Sequence, residues 1–301
     1  MVIILLKRNR RTLGDALFDR FNVLGMLLIC FLTLYPIWYV LINSFNDGKD
    51  AMSGGNIYWI PRMFSVENYT AVFENAGIMT AMGITIAKTL IGTVLHVFFT
   101  AMVAYAFSRR ELIGRNVYMM IGTITMFFGG GLIPTYLWYR DLGLLNDFFV
   151  YIWPALFSFF DLIIFLAFFR EIPDGLEEAA KIDGANDFKI FYSVVLPVSM
   201  PVVATIALFH GVYQWNDYFT AVIFTTDETL QPIQTFLYKV IAQSSSTQII
   251  GNMSGGAITR RVTGQSIKMA TMIITTLPIV LAYPFLQRYF VKGLMIGSLK
   301  G

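Results

Sequence analysis

At 301 residues the chain is 56% hydrophobic and only 14% charged, with a mean hydropathy of +0.63, and a water-soluble fold of that make-up would expose far too much apolar surface. Lipid is therefore the solvent for much of its length, and the formal net charge of +3 is too small to argue for a nucleic-acid partner. The single cysteine, Cys30, lies inside an apolar run; this excludes an intrachain disulfide and a thiolate-rich metal centre and reads as packing.

A membrane-crossing helix needs ~20 mainly apolar residues at about 1.5 Å of rise each. In chain order, six segments meet that test: Phe21–Ile42, Ala81–Phe107, Val117–Tyr139, Phe148–Phe169, Met200–Phe224 and Ile267–Phe290. The first is as long as a full span, and no small-x-small cleavage pattern follows it, so it reads as an anchoring helix and not as a removed leader. Between the spans, loops 44–80 and 225–266 are long and polar, the second carrying Ser244-Ser245-Ser246 and Ser254-Gly255-Gly256. They read as surface caps on the outer side, with some irregular or short helical structure.

Positive charge separates the two sides. Lys7, Arg8, Arg10, Arg11, Arg20, Arg109, Arg110, Arg115, Arg170, Lys181, Lys189, Arg288, Lys292 and Lys300 fall on one face of a six-span arrangement, about fourteen against about six in the alternate loops. That face is expected to be cytoplasmic, with both termini inside.

The inner loop 170–197 carries helix punctuation at both ends. Pro173 suits a first helical position with acidic residues after it, and Gly184 suits a helix stop that needs positive φ. A second short helix is expected to start at Asn186 or Asp187 and to run toward Leu196, where Pro197 ends or bends it. Two short helices in an L on the inner face of the membrane are the predicted shape.

Glu178-Ala179-Ala180, three residues, Gly184, nine residues and Val194-Val195-Leu196-Pro197 resemble the cytoplasmic signature of permease subunits in binding-protein-dependent ABC importers. Val194 stands where that pattern usually has Ile. Ile60-Pro61 with Phe64-Ser65-Val66-Glu67-Asn68-Tyr69 is similar to the external segment of maltose-type sugar permeases. Phe128-Gly129-Gly130-Gly131-Leu132-Ile133-Pro134-Thr135-Tyr136, Leu142-Gly143-Leu144-Leu145-Asn146 and the ending Tyr283 to Gly293 resemble the narrower LplC/YtcP branch of carbohydrate permeases, which serves complex glycans, uronate polymers such as alginate among them.

The resemblance implies an all-α membrane protein. An amphipathic elbow helix around Thr12–Arg20 within a cytoplasmic segment 1–20 would precede a six-span permease domain 21–292 and a cytoplasmic tail 293–301. It also implies that the inner loop is a coupling helix seated in a cleft of a cytosolic ATPase, with Glu177, Glu178, Ala179, Ala180, Asp183, Gly184, Leu196 and Pro197 as its contact set. Ala179 and Ala180 would permit close backbone approach, Glu178 would offer a carboxylate to a basic group, and Gly184 would turn the chain. An ordinary interfacial helix would carry a mainly basic polar face, whereas Asp174, Glu177, Glu178 and Asp183 dominate here.

No Gly-x-x-x-x-Gly-Lys-Ser/Thr phosphate loop is present, so the chain is expected to hold no cofactor and to perform no hydrolysis, Mg-ATP being bound by partner subunits. The implied partners are two ATPase subunits, a homologous second permease subunit, an external solute-binding protein, the oligosaccharide and the bilayer. The glycine-rich tail, with Gly297, Lys300 and Gly301, would reach the ATPase dimer as extended chain.

Polar residues within the spans mark candidate pathway positions, because ionisable groups at membrane depth are costly without a partner or a wet cavity. Lys88, Asp161 and the run Tyr213, Gln214, Trp215, Asn216, Asp217 and Tyr218 qualify. Aromatic faces with planar polar groups suit a sugar path, while interhelical hydrogen bonding is the structural alternative. Lys88 and Asp217 are expected at similar depths, either pairing or with Lys88 snorkelling to the headgroups. His96 and His210 read as isolated packing or hydrogen-bonding residues with no metal role.

An ion-coupled secondary transporter is the alternative, though no clear internal repeat is present. A membrane-embedded enzyme would need a catalytic constellation, and none stands out.

Overall fold

The computed structural model describes residues 13–53, 59–109, 111–242 and 262–298. Among the described residues the chain is helical apart from short turns and one isolated bridge between Asn46 and Phe64. Two compact units emerge, one drawn from Met1–Ala71 and Ser254–Ile273, the other from Val72–Met253 and Ile274–Gly301.

In the first unit, α1 spans Leu13–Ser44 and the short α2 spans Gly48–Ser53. The apolar residues of α1 are exposed on all sides up to the last turns, for example Phe21 at 79% and Leu34 at 62%, the expected signature of a helix solvated by lipid. The separate elbow expected at Thr12–Arg20 is not formed. From Leu13 onward the backbone is continuous with the span, because no proline or glycine pair interrupts the chain at its junction; Thr12 lies outside the described residues.

The described part of the segment after α1 contains the short helical structure expected of it. Asn68 donates to the carbonyls of Ser44 and Asn46 at 2.9 and 2.8 Å, and Phe45 stacks on Phe64 at 5.5 Å. Asp50 is held below the ordinary carboxylate range by the Asn46 amide and by Arg62, whose Nε lies 3.0 Å away.

In the second unit, α3 (Glu67–Phe73, begun in the first) leads into α4 (Ala76–Ser108). Asn75 caps α4 by accepting from the Ile78 amide. Around α4 pack α7 (Phe159–Phe169) and α11 (Met200–Asn216). Their shared core contains Ala101, Ala104, Leu162, Phe165, Phe191 and Ile206. Small alanines on α4 let the phenylalanines of α7 approach closely, as packing in lipid demands.

Leu17–Ser44, Ala76–Ser108 and Gly264–Leu281 are each long and apolar enough to cross a bilayer. Two further crossings arise if two bent pairs each count as one. Arg115–Phe127 (α5) and Leu132–Asp141 (α6) meet at 115°, so the expected third span is broken at its glycine triplet. Gly131 there has φ +83° and ψ 174°, a conformation open essentially to glycine alone.

The expected fourth span, Phe148–Phe169, is a single 3-10 turn over Phe148–Tyr151 followed by the 11-residue α7. Asp147 and Ser158 each cap a helix start with their side chains, and Pro154 between them has no N–H to continue a ladder. At ~16 Å, α7 is too short to cross alone. The last helix, here α14 after α12 (Phe219–Phe224) and α13 (Ile233–Ala242), runs Gly264–Ser298. Residues 293–298 therefore continue it as helix and not as extended chain; Lys300 and Gly301 lie outside the described residues.

Candidate functional site

Two regions of the second unit gather the chemistry: a cavity beside α11 and the loop between α7 and α11.

The cavity, of about 540 Å³, is walled by aromatic side chains that include Tyr139, Phe160, Phe209 and Tyr213, together with Asp161, His210, Gln214 and Asp217. It forms where the expected fifth span breaks. Helix α11 ends at Asn216, Asp217 adopts an extended conformation, and α12 starts at Phe219. Asp217 holds the break from both sides, its carboxylate accepting from the Thr220 amide at 3.1 Å.

Lys88 answers from α4. Its Nζ donates to the Asp217 carbonyl at 2.8 Å and lies 3.3 Å from the Asp217 carboxylate, with the Tyr151 ring 4.8 Å away. The main-chain carbonyl freed by the break thus receives a charged donor, and Lys88, with no exposed surface, is satisfied on three sides. Of the two readings of this lysine, pairing and snorkelling, the structure shows pairing.

The run 213–218 divides. Tyr213 and Gln214 in the last turn of α11, and Asp217 just after it, line the cavity. Trp215 points elsewhere and donates from Nε1 to the Thr275 carbonyl of α14 at 2.9 Å. Asn216 bonds back to the Val212 carbonyl and accepts from Gln234 of α13 at 3.4 Å. Tyr218 stacks on Tyr238 of α13 at 4.9 Å. Trp215, Asn216 and Tyr218 are thus helix-linking residues outside the cavity wall.

The two histidines are not isolated, contrary to their reading from sequence. Their rings stack at 3.7 Å and 9°. His96 Nδ1 donates to the Ala155 carbonyl at 2.7 Å, and its Nε2 meets Asp161 at 2.9 Å. Asp161 sits in the first turn of α7, not in the middle of a long helix, which is why its carboxylate reaches the cavity. Gln214 donates to the Tyr151 carbonyl at 2.9 Å and contacts His210 Nε2 at 3.4 Å.

His96, Asp161 and His210 thus form a two-histidine, one-carboxylate set with ligand atoms within 4.8 Å. Parallel stacking sends the in-plane lone pairs of the two rings side by side and not toward a common point. A hydrogen bond between His96 and Asp161 joins α4 to α7, and ring stacking joins His210 of α11 to His96. No local spacing signals the set, because its members come from three helices. The available clue was the stripe Thr85, Lys88, Gly92, His96 along one face of α4.

Gly92 stands where α4 passes Gln214, and a Cβ added there would lie 2.9 Å from Gln214 Nε2. Gly92→Val is therefore expected to push Gln214 off the Tyr151 carbonyl and to destabilise the protein by about 1–3 kcal/mol. Thermal unfolding in detergent measures this, and an unchanged midpoint would mean that Gln214 is not held there.

Two short helices form within the loop 170–197. Helix α8 runs Asp174–Ile182 after Pro173, and α9 runs Asp187–Ile190 after Asn186, whose side chain accepts from Lys189 N. α8 ends in a Schellman arrangement: Gly184 N–H reaches the Lys181 carbonyl and Ala185 N–H reaches that of Ala180, both at 3.0 Å. Gly184 has the φ of +78° that this motif requires.

Pro197 does not end the second helix. A π turn over Phe191–Val195 leads into α10 (Leu196–Val198), and the 83° bend to α11 falls at Ser199. The wider π turn, in which Leu196 N–H bonds the Phe191 carbonyl, gives the ring of Pro197 room within the helix.

The expected contact set is split by this geometry. Glu178, Ala179, Asp183 and Gly184 are exposed, as is Pro197. Leu196 and Ala180 are half-buried and pack against the unit's core. Glu177 turns inward to an ion pair with Arg109, its side chain only 12% exposed. The sequence reading overlooked Ile182, which is 87% exposed at the tip of α8, and Phe188, 59% exposed on α9; such apolar residues at an exposed elbow are the mark of a docking surface.

Residues 112–296 match the family described as the inner membrane component of binding-protein-dependent transport systems. The chain is 40% identical over 287 residues to the polygalacturonan/rhamnogalacturonan transport system permease protein YtcP of Bacillus subtilis, covering 95% of this chain and 99% of the relative. It is 37% identical over 290 residues to protein LplC of the same organism, covering 96% and 97%. Among solved structures it is similar to a chain of a bacterial ABC transporter involved in the import of the acidic polysaccharide alginate, with a TM-score of 0.85 and 30% identity over 93% of this chain and 98% of that one.

Proposed function

The chain belongs to the family of inner membrane components of binding-protein-dependent transport systems, and on that premise we propose that it is a permease subunit of an ATP-driven importer of oligosaccharides or polysaccharide fragments. Uronate polymers fall within that class, because the named relative carries polygalacturonan and rhamnogalacturonan and the structural neighbour belongs to an alginate importer. The subunit works beside a homologous permease, two ATPase subunits that bind Mg-ATP and an external solute-binding protein. It is not itself an enzyme.

The observation that carries this reading is the α8–α9 elbow. A short acidic helix, closed by a left-handed glycine and tipped by Ile182 and Phe188, offers a compact contact to a separate motor. On this reading both termini and the elbow are cytoplasmic. Six crossings follow if α5–α6 forms one and α7 completes another with the turn before it. The tail with Gly297, Lys300 and Gly301 would reach the ATPase pair. Closure of that pair would move the elbow and open the cavity outward by alternating access.

The cavity suits a sugar. Its aromatic faces meet C–H surfaces, and the oxygens of Asp161 and Asp217 accept from hydroxyls. The cationic partner Lys88 and the ring of His96 lie behind them, at 0% and 1% exposure.

Reconstitution of the four-subunit complex tests the reading. Uptake of labelled oligouronate into vesicles is expected to require both ATP on the ATPase side and binding protein on the other. Uptake driven by a proton or sodium gradient without ATP would favour the ion-coupled transporter and overturn the assignment.

A further inference from the structure

Glu177 does not share the outward direction of Glu178. Its two carboxylate oxygens take Nη1 and Nη2 of Arg109 in a two-pronged contact, the geometry that a planar guanidinium favours. Arg109 is the C-cap of α4. Its guanidinium lies 4.1 Å from the centre of the Tyr105 ring one turn below, and Tyr105, at 6% exposure, packs in the core against Phe191 at 5.4 Å. Arg109 is thereby held by α4 on one side and by α8 on the other.

The helix it caps differs from the other long helices. α1 contains Pro36, α14 contains Pro278 and Pro284, and α5–α6 and α10–α11 are bent. α4 is continuous over 33 residues with no proline, so it moves as a rod. Along it, His96 lies about 20 Å and Lys88 about 30 Å from Arg109 at 1.5 Å per residue. Those are the two residues of α4 that hold the cavity's carboxylates.

We propose that Arg109 is a positioning residue for coupling: through Glu177 it fastens the elbow to α4, so that displacement of the elbow is delivered along α4 to the Lys88–Asp217 and His96–Asp161 contacts. This rests on the importer reading above and assigns the route by which the motor's movement reaches the cavity. Glu177 is accordingly a link within the subunit, while Glu178 and Asp183 face the partner.

The test uses the complete complex in vesicles, with Arg109→Gln, Glu177→Gln and the exchanged pair R109E/E177R. ATP hydrolysis and sugar uptake are measured on the same preparation, and their ratio is the readout. A merely structural defect lowers both together and leaves the ratio unmoved. Each single variant is expected to lower uptake per ATP about tenfold, as for loss of one contact pair in a coupled network. The exchanged pair is expected to recover a large part of it.

An unchanged ratio in both singles, or an exchanged pair no better than either single, would overturn the proposal. Should Arg109→Gln fail to assemble, Arg109→Lys keeps the charge, loses the fork and is expected to give a drop of about threefold. Glu178→Ala serves as the control on the parent reading. If it also leaves the ratio intact, the importer assignment fails; if it alone lowers the ratio, only the Arg109 route fails.

Discussion

Lys88→Met is expected to destabilise the detergent-solubilised protein by about 3–5 kcal/mol, the usual consequence of removing one partner from a buried ion pair. The loss comes less from the missing attraction than from what stays behind. Asp217, 9% exposed, would keep a carboxylate with no cation, and its main-chain carbonyl would lose its donor at a helix break that offers no other. Replacing both residues, as in K88M/D217L, removes the charges together and is expected to recover part of the stability. It cannot recover all of it, because the Asp217 side chain also caps Thr220.

For the same reason a simple exchange, K88D/D217K, is expected to rescue poorly. An aspartate on α4 is too short to reach the carbonyl and, being ionised, cannot donate to it. Thermal unfolding of the wild type, Lys88→Met, Asp217→Leu and K88M/D217L gives the coupling energy. If Lys88→Met melts with the wild type, the pair contributes nothing and the break is held by other contacts.

Gly184→Val is expected to reduce uptake by more than tenfold while leaving the chain in the membrane. Nothing lies within 4 Å of an added Cβ at this position, so the effect is not a clash. It comes from φ +78°, which costs an L-residue about 1–2 kcal/mol and a β-branched one more. The strain falls on the turn that aims Glu178, Ile182 and Asp183 outward, and its relief would rotate α8 relative to α9. Gly184→Asn separates the two effects, since asparagine tolerates the left-handed region and is expected to retain most of the uptake. Equal loss for Val and Asn would show that the space at Gly184, and not its backbone angle, matters for coupling.

The two regions are linked by one design feature: helices are broken where chemistry is needed. Asp217 and Ser199 mark the ends of α11, and Gly131 marks the turn between α5 and α6. In lipid such breaks survive only where the freed backbone groups find partners. The Lys88 ammonium supplies one for the Asp217 carbonyl, and the Thr85 hydroxyl supplies another by accepting from the Ile233 amide at 2.8 Å. Both donors and acceptors come from the polar stripe of the unbroken α4.

The amino-acid order determined by itself the longest helices and the ends of the elbow's first helix. The long apolar runs set α1, α4 and α14, and Pro173, Gly184 and Asn186 set the two ends of α8 and the start of α9 to within about a residue, Pro173 standing just before the first turn, because a helix start and a left-handed stop are decided by a few neighbouring side chains. The similar depth of Lys88 and Asp217 was legible too, since rise per residue converts position into depth.

Only the tertiary structure decided which polar residues meet. The divergence of Glu177 from Glu178, the departure of Trp215 and Tyr218 from the cavity wall and the stacking of His96 on His210 all depend on the angles at which α4, α7, α8 and α11 pack. Those angles come from many small contacts among residues far apart in sequence, where spacing along the chain carries no information about direction.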